Sequence, residues 1–370
     1  MAFGCNKKAK QNDMQKLSDH IDELYLNPKL LWLLWEATTR CNCYCRHCGS
    51  DCGEVELPDI LTYDEICGFL KQVANDFDPS EIMLCVTGGE PLLRNDLFDV
   101  MSYAKKQGFH WGMTTNGALL TEEIVSKMID TNCKTISVSL DGSKEQHNKM
   151  RGGDFFDKTL EGIRLLLAAE VFAEVQITTV IHKGNIHELH EIHKLTGALG
   201  ADSWRLTSLE PIGRAHQMAN EFLSGADYIE LFDFIRKCRL NDSDIPVLFG
   251  CNHYLTAEYE KELRDYYFIC GSGIYTASIL YNGDIYGCLD IERKYGLSQG
   301  NIRSDRFTDI WENGFKQFRQ RRDHLNPICS ACPDAVYCRG DSAHTWDFDE
   351  NKPLCCLKQK TDEVLNGYGV

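Results

Sequence analysis

The chain lacks any apolar run long enough to cross a bilayer as a helix, and Met1 to Ser18 is polar, without the hydrophobic segment of a secretory signal. Basic residues are scarce beside acids: 39 Lys and Arg against 55 Asp and Glu give a formal charge of −16. A phosphate backbone is held by Lys and Arg, so this balance argues against a nucleic acid partner. These absences exclude a helical membrane protein and lead to the expectation of a cytoplasmic one.

What the chain has is cysteine, 18 in 370 residues, and the cysteines come in clusters. In a large chain without a signal, such clusters point to metal sites in a reducing compartment rather than to a disulfide scaffold. Cys67 and Cys238, in helical patterns, and Cys85 and Cys133, in or beside strand patterns, read instead as packing residues.

The densest cluster is Cys41-Asn-Cys-Tyr-Cys-Arg-His-Cys48. Cys41, Cys45 and Cys48 can converge on one centre from a single loop. A structural zinc site closes on four ligands, whereas a cubane cluster held by three thiolates leaves one iron open. On spacing alone, a zinc knuckle or a ferredoxin-like loop stays open.

Before this loop, Leu31 to Thr38 is a compact apolar run that reads as a buried strand. Strand patterns follow at Glu81–Thr87, Phe109–Thr115, Lys134–Leu140, Ala173–Ile181 and Ser203–Ser208. Helical patterns alternate with them at Tyr63–Asn75, Leu97–Gln107, Glu122–Asp130, Phe156–Ala169 and Ile186–Leu199. Six βα units predict an α/β domain with a parallel sheet, and ligands beyond the carboxyl ends of its strands. The residues suited to chemistry sit there: Gly88-Gly89-Glu90-Pro91 after the second strand, Asn116 after the third, Ser139 and Asp141 at the fourth, and Arg151 a short helix later.

The loop Cys41, Cys45, Cys48, with the aromatic His47 before its last cysteine, together with Gly88-Gly89-Glu90-Pro91, resembles the radical S-adenosylmethionine (SAM) superfamily. That resemblance implies a partial (βα)6 barrel, a [4Fe-4S] cluster on the three cysteines, and SAM chelating the open iron. It implies that Gly88, Gly89, Glu90 and Pro91 receive the amino group of SAM, that Ser139 and Arg151 contact its polar groups, and that His47, Asn116 and Asp141 border it.

From Cys251 the composition shifts to cysteine, glycine and aromatics. Cys270, Cys288, Cys329, Cys332, Cys338 and the pair Cys355-Cys356 resemble the SPASM extension of that superfamily, a small α+β domain with auxiliary iron–sulfur clusters. Tyr275–Tyr281 and Ile285–Cys288 around Asn282-Gly283 fit its β-hairpin. Carried over, Cys329, Cys332, Cys338 and Cys355 hold one auxiliary cluster, with Cys356 as the alternative to Cys355. Cys270 and Cys288, with Cys251 as a possible third thiolate, begin another. Its expected last cysteine is Ser342. That site is left open, completed by a ligand such as Asp341 or His344, or absent, and a zinc ribbon is the alternative on spacing alone. One or two auxiliary clusters are therefore expected.

The expected organisation is an N-terminal extension over 1–29 with a helix lying on the main domain, a barrel over 30–214, a helical linker over 215–250, and the SPASM domain over 251–370. The resemblance implies reductive cleavage of SAM and hydrogen abstraction from a peptide or protein, with a flavodoxin- or ferredoxin-type electron donor. Asp290, just after Cys288, is the acid nearest to the position of a catalytic base in sulfatase maturases. No separate N-terminal peptide-recognition domain is expected. A tetrapyrrole enzyme of the same superfamily and a non-enzymatic iron–sulfur or zinc scaffold are the alternatives.

Overall fold

The structure is a computed structural model and describes residues 14–240, 245–250, 253–264 and 266–367. Cys5, the Asn241–Asp244 stretch and Cys251 lie outside these residues.

After helix α1 (Met14–Leu26), strand and helix alternate: β1 (Trp32–Glu36), α2 (Tyr63–Asp76), β2 (Met83–Thr87), α3 (Leu97–Gln107), β3 (His110–Thr115), α4 (Glu122–Asp130), β4 (Cys133–Ser139), α5 (Lys144–Arg151), α6 (Phe156–Ala168), β5 (Glu174–Ile181), α7 (Leu189–Leu199) and β6 (Ser203–Ser208). Local chemistry sets several boundaries. Thr62 and Glu65 form a reciprocal capping box at the start of α2, Thr121 caps α4, and Gly108 ends α3 in the left-handed region.

β1 to β6 pair in order and in parallel. One set of alternate strand residues, among them Trp35, Trp111 and Trp204, packs with Leu70, Met101 and Ile163 of the helices into a single core. The other set faces the concave side of the sheet, where Ser137, Ser139, Thr178 and Arg205 are half-buried. Cys67, Cys133 and Cys238 join the core, as expected. Cys85 does not: the two-residue period of β2 turns it to the concave side.

The sheet does not stop at six strands. After α8 (Gly225–Leu240), β7 (Val247–Phe249) pairs in parallel with β6, so the stretch read as a linker supplies a seventh strand. At the other edge, beyond α9 (Thr256–Leu263), the expected hairpin forms as β8 (Thr276–Ile279) and β9 (Asp284–Tyr286). β8 pairs in parallel with β1, from Trp32 opposite Thr276 to Trp35 opposite Ile279, and β10 (Gly300–Asn301) extends the edge. The result is one ten-stranded, mostly parallel sheet.

α1 packs on the cysteine-rich region. Its Asp22 and Ser18 accept hydrogen bonds from Arg339 of the cysteine-rich region, at 2.6 Å to Asp22 Oδ1 and 2.8 Å to Ser18 Oγ. Among the described residues, no helix is long and apolar enough to cross a membrane.

Candidate active site

The cysteine loop leaves the C-terminal end of β1 and folds back on itself, Cys41 N–H donating to the Gly53 carbonyl. Five thiols meet there. Cys41, Cys43, Cys45 and Cys52 are buried together, with Cys48 and Phe155 against them. The five are not equivalent. Cys43 N–H donates to Cys41 Sγ at 3.4 Å; hydrogen bonding from Cys43 lowers Cys41 and, with the Arg151 charge, brings Cys45 to about 7 against burial. The Cys52 thiol and the Arg214 charge bring Cys48 down to about 6. Cys43 and Cys52, as the donors, are pushed far up. Neighbouring hydrogen bonds and cations thus act to lower Cys41, Cys45 and Cys48.

Arg214, after β6, braces the loop. Its side chain donates to the carbonyls of Cys45 and Cys52, each at 2.8 Å, pairs with Asp51 at 2.8 Å, and lies over the Tyr44 ring. The sequence reading placed Arg214 at the end of the sixth unit and gave it no role.

Gly88 and Gly89 follow β2 and run against the same loop. Gly89 N–H donates to the Thr38 carbonyl and Glu90 N–H to the Arg40 carbonyl. A Cβ on Gly89 would stand 2.0 Å from the Arg40 oxygen, and one on Gly88, whose φ is +131°, would stand 2.3 Å from the Thr38 oxygen. The glycines are therefore required first by the chain's own backbone. Glu90 is buried, accepting from Thr115 Oγ1 at 2.8 Å and from Asn116 N–H at 2.9 Å, and burial pushes its pKa up to about 7. Pro91 opens the short turn that follows. Asn116 reaches the cysteine loop itself, donating to Asn42 Oδ1 at 2.7 Å.

Ser139 ends β4 opposite Thr178. Beyond it, Asp141 and Arg151 form a buried ion pair, with Arg151 Nη1 3.7 Å from Cys45 Sγ. Burial opposes ionisation of Asp141, but Arg151, His47 and His147 outweigh it and hold its carboxyl below the usual range. Burial pushes His47 down to about 4, so the ring is neutral at pH 7, and its buried Nδ1 has no hydrogen-bond partner. Asn116, Glu90, Arg151, His47, Cys41, Cys45 and Cys48 thus surround one end of the sheet. Three cysteines on one loop, two backbone-tight glycines and an unpartnered imidazole suit an open-sited cluster with an amino-acid-like ligand.

Below this rim the concave face is mainly polar on β4 to β6 and carries Leu34, Met83 and Cys85 on β1 and β2. Arg205 of β6 donates to Thr178 Oγ1 at 3.3 Å and to Ser137 Oγ at 3.4 Å, and among the described residues no carboxylate forms an ion pair with it. Its place in the two-residue period of Ser203–Ser208 was the signal that could have found it.

The cysteine-rich region reaches both ends of the sheet: Arg293 pairs with Glu36 at the end of β1 and Asp341 with His253 beyond β7, whereas Cys270 and Cys288 lie at the start of β8. Cys270 precedes β8, and β9 runs antiparallel to β8, so Cys288 returns to the same end, away from the Cys41 loop. Asp290 is exposed there beside Cys288, with Oδ2 3.9 Å from Cys288 Sγ. In the second set, burial pushes the Cys329, Cys338 and Cys356 thiols up. The Cys355 thiol, a Glu210 oxygen and a His253 nitrogen lie within 4.8 Å of one another. Cys355 and Cys356 both lie just before the helix Leu357–Gly367. His253 itself is fully buried between Glu210, at 2.7 Å, and Asp341, at 2.9 Å, and went unnoticed in the sequence.

Residues 35–196 match the family model described as Radical SAM superfamily, and residues 270–333 match the iron–sulfur cluster-binding domain SPASM. An AdoMet-dependent heme synthase of Methanosarcina barkeri is 31% identical over 355 residues, covering 90% of this chain and 97% of that one.

The chain belongs to the radical SAM superfamily, in its SPASM branch.

The mycofactocin maturase MftC of Mycobacterium tuberculosis is 29% identical over 314 residues, covering 83% and 77% of the two chains. Among solved structures, native anSMEcpe with bound AdoMet matches with a TM-score of 0.71 at 20% identity over 90% of this chain and 95% of that one. SuiB of Streptococcus suis, in a complex with its precursor peptide SuiA, matches with a TM-score of 0.67 at 17% identity, over 88% and 74%. These structural likenesses establish the fold. As a radical SAM enzyme of the SPASM branch, the chain is a SAM-dependent enzyme with a [4Fe-4S] domain and an auxiliary-cluster domain.

Proposed function

We propose that this radical SAM enzyme abstracts hydrogen from a peptide or protein held against the concave face of the sheet, forming a crosslink, a thioether or an oxidised residue. When bound, a [4Fe-4S] cluster would supply the electron for reductive cleavage of SAM to methionine and a 5′-deoxyadenosyl radical. The chain's own residues do the rest. Cys41, Cys45 and Cys48 hold the cluster. Glu90 and the tight backbone of Gly88 and Gly89 offer acceptors to an ammonium group, and Arg151, steadied by Asp141, offers a guanidinium to a carboxylate. Ser139, Asn116 and neutral His47 complete the polar rim. A flavodoxin- or ferredoxin-type protein would supply the electron.

The observation that carries the peptide reading is the lining below that rim. Ser137, Ser139, Gln176, Thr178 and Thr207 alternate along the concave face, presenting hydroxyls and an amide. Such groups pair with peptide N–H and C=O, whereas a flat macrocycle wants broad apolar walls. SuiB, with a similar fold, has been solved with a precursor peptide. A second reading, a carboxylated tetrapyrrole, is favoured by Arg205, whose guanidinium suits a propionate, and by relatives named as heme synthases over nearly their whole length.

Anaerobically reconstituted enzyme, SAM and dithionite should form 5′-deoxyadenosine and change the mass of a precursor peptide encoded beside the enzyme's gene. Turnover of a carboxylated tetrapyrrole with no peptide mass change would replace the first reading by the second. Full clusters without SAM cleavage would refute both.

A further inference from the structure

Where the first auxiliary set should end in cysteine, the chain has Ser342, buried, with its carbonyl accepting from Thr345 Oγ1 at 3.1 Å. The short turn Ala343–Thr345 then brings the next donors back toward the thiols. Ala343 N–H donates to Cys270 Sγ at 3.3 Å. One residue on, a His344 ring nitrogen, Cys288 Sγ and an Asp290 carboxylate oxygen all lie within 4.8 Å of one another.

The neighbouring acid, Asp341, is committed elsewhere. Its Oδ2 faces His253 Nδ1 at 2.9 Å, and its Oδ1 accepts from Tyr254 N–H at 2.8 Å. Of the two non-cysteine donors that the sequence offers on this loop, His344 is the one that turns toward Cys288.

We propose that Cys270, Cys288, His344 and Asp290 form an iron–sulfur site of mixed ligation, with His344 in the role left vacant at Ser342. This rests on the SPASM chemistry of the region and not on the identity of the substrate. Two thiolates, an imidazole and a carboxylate make four donors, enough to close an iron–sulfur centre. Imidazole is neutral where a thiolate is anionic, so the centre carries less negative charge than an all-cysteine one and accepts an electron at a higher potential. His344 is buried while Asp290 is exposed, so the imidazole end faces the protein and the carboxylate end faces solvent.

The test is pulsed electron paramagnetic resonance on the reduced holoenzyme, with iron, sulfide and zinc counted on the same sample. SAM is omitted, because its own amine would place nitrogen on the first cluster. The wild-type protein should show an imidazole-type nitrogen coupling. In His344→Cys, iron and sulfide should be retained, the coupling lost, and one reduction potential lowered. In His344→Ala, iron and sulfide equal to one cluster should be lost. Persistence of the signal from the Cys41, Cys45 and Cys48 cluster certifies that each variant is folded, and loss of that signal from the wild type would instead indict the radical SAM reading. A wild type without nitrogen coupling, a coupling that survives in His344→Cys, or zinc in place of iron at this site would overturn the proposal.

Discussion

Arg151 Nε donates to Asp141 Oδ2 at 2.7 Å, and both side chains are buried against the cysteine loop. Asp141 aims the guanidinium as well as neutralising it: its Oδ1 is tied to Val180 N–H, and its backbone N–H is tied to His147 Nδ1. Removing one partner of a buried pair leaves the other charge uncompensated, which costs roughly 3–5 kcal/mol. Asp141→Asn should lower the melting temperature and reduce the yield of 5′-deoxyadenosine. A variant that melts like the wild type and cleaves SAM at full rate would show that the pair positions nothing.

His253 should make stability pH-dependent. Burial opposes its charge, but Glu210 and Asp341 raise its pKa well above the usual value. The folded pKa exceeds the unfolded one near 6.5, so the stabilisation is complete below about pH 6.5 and fades as pH rises through the folded value. In His253→Gln, two buried carboxylates face each other without a cation, at a cost of roughly 3–5 kcal/mol at neutral pH. That deficit should widen as pH falls from about 8 to about 6.5, because only the wild type holds the His253 proton that stabilises the folded state there. Thermal melts from about pH 5 to about pH 8 decide it, and a constant deficit would exclude this account.

Arg205 should act on substrate and not on SAM. A charged hydrogen bond contributes about 1.5–3 kcal/mol, so Arg205→Leu should lower kcat/KM for a carboxylate-bearing substrate by roughly 10- to 100-fold. Slow SAM cleavage without substrate should stay at the wild-type rate. Equal losses in both assays would place Arg205 in the SAM site instead.

Gly89→Ala should damage the site where Gly68→Ala does not. The added methyl at 89 meets the Arg40 carbonyl, backbone against backbone, whereas at Gly68, inside α2, it meets nothing within 4 Å. Overpacking of this kind costs about 1–3 kcal/mol, and the helical substitution should be neutral or stabilise by up to about 1 kcal/mol. Iron content and melting temperature of the two variants provide the comparison.

Elements written in local sequence were legible. Leu97–Gln107 and Glu122–Asp130 form over the residues that their periodicity predicts, because each apolar stripe has a boundary signal beside it, Gly108 at the end of the first and Thr121 at the start of the second. The pairing of β8 with β1 was not, since about 240 residues separate the partners and no short-range pattern encodes it. β7 is three residues long and carries no period of its own. The cysteines announced themselves by spacing, but spacing does not separate Cys355 from Cys356. Arg205, Arg214 and His253 are single residues whose roles come from neighbours brought together by the sheet. Asp341 and His344 looked alike as donors until His253 claimed one of them.

The hairpin that leads to Cys288 is hydrogen-bonded through β8 to β1, and β1 leads to Cys41. The turn that carries Cys288 and the loop that carries Cys41 are therefore held by one hydrogen-bonded sheet, and strand register sets how far apart they lie. A substitution that slips β8 against β1 would turn the hairpin side chains to the other face and carry Cys288 out of its setting.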